Sequence, residues 1–160
     1  MSSISWWSDS PPWVRVIPDD SLVPASEALP PSGAIFSARM QGREMANIDG
    51  VFTQFYEHLR LPDYFGWNWE ALRDCLCDLH WVSATQYLLI VDDAEDILHE
   101  SSEDRVTFLE VMQKSTKFWA EKPSFPEKTG ITLRVVLLCA PERYAGLSRE
   151  VSEAQKEYGS

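Results

Sequence analysis

From residue 34 onward the apolar positions of the chain fall into two alternating periods. AIFSARM (34–40) has the length and alternation of a strand. QYLLIVD (86–92) and ITLRVVLLCA (131–140) are nearly continuous apolar runs. Strands buried on both faces read this way, and parallel sheets produce them. Between these runs the period lengthens. In DGVFTQFYEHLRL, Phe52, Phe55, Tyr56 and Leu59 recur at helical spacing; Asp49 is placed to cap this helix and Pro62 to end it. A second helix is predicted over about 69–80, capped by Asn68, with Leu72, Cys75, Leu76 and Leu79 on its core face. DRVTFLEVMQKSTKFWAEK predicts a third, with Val106, Leu109, Met112 and either Val111 or Phe118 among its apolar positions. The order strand, two helices, strand, helix, strand predicts an α/β fold with parallel pairing.

The two ends depart from this pattern. Residues 1–33 contain the proline-rich stretches SPPWVRVIP and ALPPSG, which predict an extended arm. Its apolar patch Trp13–Ile17 has the length of a short strand. Trp6, Trp7 and Trp13 either pin the arm to the body or form a binding patch. Residues 141–160 are polar and short of large apolar groups, and read as a tail or a frayed last helix.

On the second helix the polar positions carry information. Glu70, Asp74 and Asp78 recur four residues apart opposite the apolar face, with Arg73 the single basic residue among them. Like charges at this spacing cost about 0.2–0.5 kcal/mol per pair. Glu70 lies near the favourable N-terminal end of the helix dipole and Asp78 near the unfavourable end. The stripe is either an ordinary solvated face or a contact surface. The preceding turn, DYFGW, has Gly66 free to take a positive φ. It also crowds Tyr64, Phe65, Trp67 and Trp69 beside the acids. Phe65 and Trp69 fit the core; Tyr64 and Trp67 are harder to bury. Exposed aromatics next to fixed carboxylates have the composition of a protein-binding hot spot whose partner supplies arginine.

Composition strengthens this reading. The 160 residues hold 14 Lys and Arg against 25 Asp and Glu, a net charge of -11. Such a chain repels nucleic acid and attracts a basic partner. With 44% hydrophobic residues it can bury the core of one domain. Three cysteines without framework spacing predict reduced thiols and a cytoplasmic setting, secretion by another route staying open. The first residues lack the basic and apolar regions of a signal peptide, and no apolar run approaches the ~20 residues of a membrane helix.

Chemistry is not legible. His58, His80 and His99 lack metal-ligand spacing, and no phosphate loop, nucleophile elbow or dinucleotide fingerprint occurs. No metal or cofactor is expected. The run DDAEDILHESSED (92–104) reads as a solvated loop, without the ligand spacing of a calcium loop. Glu70 and Asp74 as an acid/base pair would need a cleft that an outer helix face does not offer.

The stretch LPDYFGWNWEALRDCLCDL resembles the barstar family, intracellular inhibitors of small secreted bacterial ribonucleases. The matching positions are Leu61, Pro62, Asp63, Tyr64, Phe65, Gly66, Asn68, Glu70, Ala71, Leu72, Asp74, Cys75 and Leu76. The likeness extends more weakly over about 34–139, leaving out residues 1–33 and the tail. It implies a three-stranded parallel sheet packed with helices, and a plug. The loop and second helix enter the enzyme's cleft, the Asp matching Asp74 meets its arginines and catalytic histidine, and the positions of Tyr64 and Glu70 flank it. The expected partner surface is therefore Tyr64, Trp67, Asn68, Glu70, Asp74 and Asp78, on a chain that is a monomer when free and not an enzyme. A barstar-like adaptor for a protein other than a ribonuclease is the alternative. Three departures bear on the target: Lys114 stands near the family's third-helix acid, Arg73 replaces an aromatic, and Trp67 replaces a loop acid.

Overall fold

Alternation of side chains across the strands creates two apolar faces, and the fold follows from how each is covered. A computed structural model describes residues 11–19, 35–121 and 131–158. The strands are β1 (Val14–Pro18), β2 (Ile35–Gln41), β3 (Gln86–Asp92) and β4 (Thr132–Cys139). They form one parallel sheet in the order β1-β4-β3-β2. The sheet has four strands rather than the three expected: the apolar patch on the arm pairs Val14 with Val135 and extends the sheet beyond β4. Trp13 lies at this junction. Its carbonyl accepts from Val135 N at 3.0 Å and its ring stacks on the Arg134 guanidinium, 5.0 Å away. This fits the pinning role; Trp6 and Trp7 lie outside the described residues.

The helices are α1 (Ile48–Leu59), α2 (Trp69–Leu76), α3 (Ser102–Glu121) and α4 (Tyr144–Tyr158). Their buried residues share one core with one face of the sheet, including Phe55, Leu72, Leu76, Phe108 and Met112 from the helices and Leu89, Val91, Val135 and Leu137 from the strands. Ile17, Leu88, Ile90, Val136 and Leu138 form a second buried cluster from the alternate strand positions. That explains the unbroken apolar runs: both faces of β3 and β4 are dry.

Several local expectations are corrected. Asn47, not Asp49, caps α1, accepting from Gly50 N at 2.8 Å; Asp49 sits in the first turn, where the dipole favours it. On α3, Val106 and Phe118 are exposed, whereas Phe108 and Trp119 are buried. This helix packs against α2, α4 and the sheet, so its buried arc is set by several neighbours rather than one stripe. The polar stretch after 140 is not a tail or a frayed helix. α4 runs for 15 residues and buries Leu147, Val151 and Ala154 against α3 and β1. A few apolar residues suffice there because the helix needs only a narrow seam. Arg105 fastens the joint: its Nε donates to Glu150 at 3.1 Å and its Nη1 to the Ile97 carbonyl at 2.7 Å.

The acidic run after β3 folds back on the body, with Ile97 and Leu98 buried and Glu103 and Asp104 in the first turn of α3. Cys75, Cys77 and Cys139 carry thiols rather than disulfides. Burial, reinforced by Glu95, Asp19 and Glu142, pushes Cys139 up to about 11, so it packs as a small protonated group. Among the described residues no helix is long and apolar enough to cross a membrane, and no cluster of three His, Cys, Asp or Glu could hold a metal ion.

Candidate functional site

The site is built from the loop 60–68 and α2. Arg60 closes α1 in the left-handed conformation, and Leu61 and Phe65 are buried on either side of Pro62. Phe65 packs edge-on against Phe52, and Trp69 does the same 5.1 Å from Phe52. These two rings anchor the loop, as their sequence positions suggested. Tyr64 and Trp67 stay outside, at 69% and 47% exposure. Trp67 lies against Tyr56 and Phe65, with ring centres 5.2 and 5.4 Å away, and this holds its exposed ring at a fixed angle.

The positive φ expected at Gly66 falls instead on Trp67, at 54°. A bulky residue in that region costs on the order of 1–2 kcal/mol. Aromatic contacts on both sides offset part of the cost. Strain of this kind gathers at functional sites.

Asn68 starts α2. Its side chain accepts from Ala71 N at 2.8 Å and donates to the Gly66 carbonyl at 3.1 Å. Both ends of the amide are thus engaged in shaping the loop, so Asn68 acts by positioning its neighbours. Asn68→Ala should lower stability by about 0.5–2 kcal/mol, the usual worth of a cap, read as a shift of the urea midpoint. An unchanged midpoint would show that the cap contributes nothing.

From this start α2 directs Leu72, Cys75 and Leu76 inward and leaves Glu70 and Asp74 exposed. Among the described residues neither carboxylate has an ion-pair or hydrogen-bond partner, and the adjacent Arg73 does not bind Asp74. Asp78 is different. The helix ends at Leu76, short of the expected 80, because Leu79 turns into the core through a left-handed backbone (φ 52°). Asp78 therefore sits in a turn past the helix, where His80 Nδ1 lies 2.9 Å from its Oδ2. The four-residue spacing overran the helix, and the Asp-x-His pair within a turn was the signal missed.

The acids and the loop form one electrostatic neighbourhood. The Tyr64 phenol is raised above its ordinary pKa, first by desolvation and then by the charges of Asp78 and Cys75. The Cys75 thiol is raised by burial, then by Asp78 and Asp74. Lys114 lies on the other flank of α3: it pairs with Glu110 at 3.8 Å and sits over the Tyr158 ring of α4, 5.4 Å from its centre. It belongs to the α3–α4 seam. The clefts between α3 and α4 and at the end of α2 are lined by neither Glu70 nor Asp74, so these clefts give that pair no setting for acid/base chemistry.

A parallel sheet, helices packed on one face, and a capped helix with outward acids define a small α/β protein. Residues 35–137, well over half the chain, match the family described as Barstar (barnase inhibitor). The chain belongs to the barstar family, an inhibitor family and not an enzyme family, whose members act on a protein partner. The match runs from β2 into β4, leaving β1 and α4 outside it. No curated protein sequence matches the chain.

Proposed function

We propose that this protein is a cytoplasmic inhibitor, an immunity protein, that blocks a basic ribonuclease by placing α2 and its leading loop in the active site. The observation that carries the reading is the exposure of Glu70 and Asp74 on a capped, core-anchored helix, with no cation paired to either among the described residues. A carboxylate held this way loses little freedom on binding. Its attraction to a cation strengthens as water leaves the interface. To a pocket built for RNA phosphates, the two anions stand in for the substrate. Tyr64 and Trp67 supply flat apolar area around them, the usual companion of a charged anchor.

The test is direct. A basic ribonuclease encoded beside this protein, or co-purified with it, is assayed on RNA with rising amounts of inhibitor. Stoichiometric loss of cleavage, relieved in Asp74→Ala, supports the plug; full cleavage at saturating inhibitor sinks it. The net charge of -11 should also steer encounter. Stopped-flow association is expected to slow about tenfold or more from low salt to well above physiological salt. A flat profile would remove the steering role.

Trp67 and Arg73, which depart from the family pattern within the loop and α2, favour a second reading in which the same face binds a protein other than a ribonuclease. Capture of such a partner in an Asp74-dependent manner, without inhibition of any ribonuclease, would select it.

A further inference from the structure

A cleft of about 280 Å³ opens at the C-terminal end of α2, beside the acidic face. Val82, Tyr87, Trp119 and Ile131 line it with apolar surface, and Asp78 and His80 stand among its lining residues. Its shape is fixed from several sides. Tyr87 Oη donates to the Val82 carbonyl at 2.6 Å, and Trp119 Nε1 to the Leu76 carbonyl at 2.8 Å. Behind His80, Trp81 lies edge-on at 5.2 Å and donates from Nε1 to the Leu59 carbonyl at 2.9 Å.

Among the described residues no Lys or Arg lines this cleft. Asp78 is half exposed and, among the described residues, engages His80 alone, through Oδ2, leaving Oδ1 for a second donor. The negative end of the α2 dipole adds to the same potential. An anion would be repelled. A purely apolar group would fill the walls and leave the carboxylate unused. At about 280 Å³ the space falls just under the usual range for small-molecule sites, roughly 300–1,000 Å³, and suits one long side chain. Arginine meets every condition: an apolar stem for the walls, a planar head that stacks on aromatic rings, and a fork of donors for a carboxylate.

We propose that this cleft receives a single arginine side chain of the protein partner, its head group on Asp78, as a second anchor beside the Asp74 contact. The inference rests on the plug reading for the identity of the partner, but the cleft can be tested separately. The probe is Nα-acetyl-arginine amide, titrated into the 15N-labelled protein and followed by amide chemical shifts, with Nα-acetyl-norleucine amide as the uncharged control.

Saturable shifts centred on Leu79–Ala84 are expected, with a millimolar dissociation constant. Asp78→Asn should weaken binding about tenfold, as expected for losing a charge-assisted hydrogen bond. Ser83→Trp, which fills the mouth of the cleft, should abolish it, and Asp74→Ala should leave it within about twofold, since Asp74 does not line the cleft. Equal shifts from the norleucine compound, indifference to Asp78→Asn, or no saturable shift would each overturn the proposal. A ribonuclease complex insensitive to Asp74→Ala would instead bring down the plug alone, with arginine still entering the cleft.

Discussion

Asp74→Ala is expected to weaken binding to the protein partner by about 2–5 kcal/mol while leaving the fold unchanged. That range is general for truncating one member of a desolvated charge pair. The loss arises mainly on the partner's side. Removing the carboxylate leaves buried cations facing a cavity, and their desolvation goes uncompensated. The fold should not respond, because Asp74 is exposed and has no bonded partner among the described residues. Isothermal titration of wild type and variant, together with their urea midpoints, separates the two quantities. Equal affinities would remove Asp74 from the centre of the interface; a large shift in midpoint would mean that it serves the fold. Asp78→Ala offers an internal comparison. Its carboxylate is already hydrogen-bonded to His80 and lies past the helix end, so its loss should cost less.

Val151→Asp is expected to destabilise the fold by about 3–5 kcal/mol, the scale of an uncompensated buried charge. Total stabilities of single domains run near 5–15 kcal/mol, so the loss is a large fraction. Val151 is 5% exposed and joins Leu147 and Ala154 in the main core. Urea unfolding followed by circular dichroism measures the effect. If the midpoint stays put, α4 is a dispensable appendage and the conserved-family span alone carries the fold. A shift of the expected size makes α4 structural, although it lies beyond the family match. The same change should leave affinity at the α2 face nearly untouched, since α4 packs on α3 and β1.

Much of the architecture was legible from periodicity. QYLLIVD became β3 with the bounds expected, because a mostly apolar run this short fits a strand buried on both sides and is too short for a buried helix. Leu72, Cys75 and Leu76 were assigned to the core face of α2 for the same reason, and they are buried. Phe65 went inward and Tyr64 and Trp67 outward, as expected from the crowding of rings in one turn. The failures have physical causes as well. β1 is five residues in a proline-rich arm, and its pairing energy comes from β4, more than a hundred positions away. α4 carries too little apolar surface to announce itself; its stability comes from a seam that α3 and β1 supply.

The linear order of side chains by itself determined the strand and helix types, the acidic helix with its aromatic approach, and the likeness that led to the family. Those properties are set by near neighbours along the chain and by charge, which require no tertiary partner. Only the tertiary structure decided that α2 stops at Leu76, because the pull of the core on Leu79 outweighed the local preference to continue. That same turn moved Asp78 off the stripe, bonded it to His80 and opened the cleft beside it. It also decided that Glu70 and Asp74 have no cation partner among the described residues, since whether a distant Lys or Arg reaches a carboxylate depends on how the helices pack, as Lys114 in the α3–α4 seam shows.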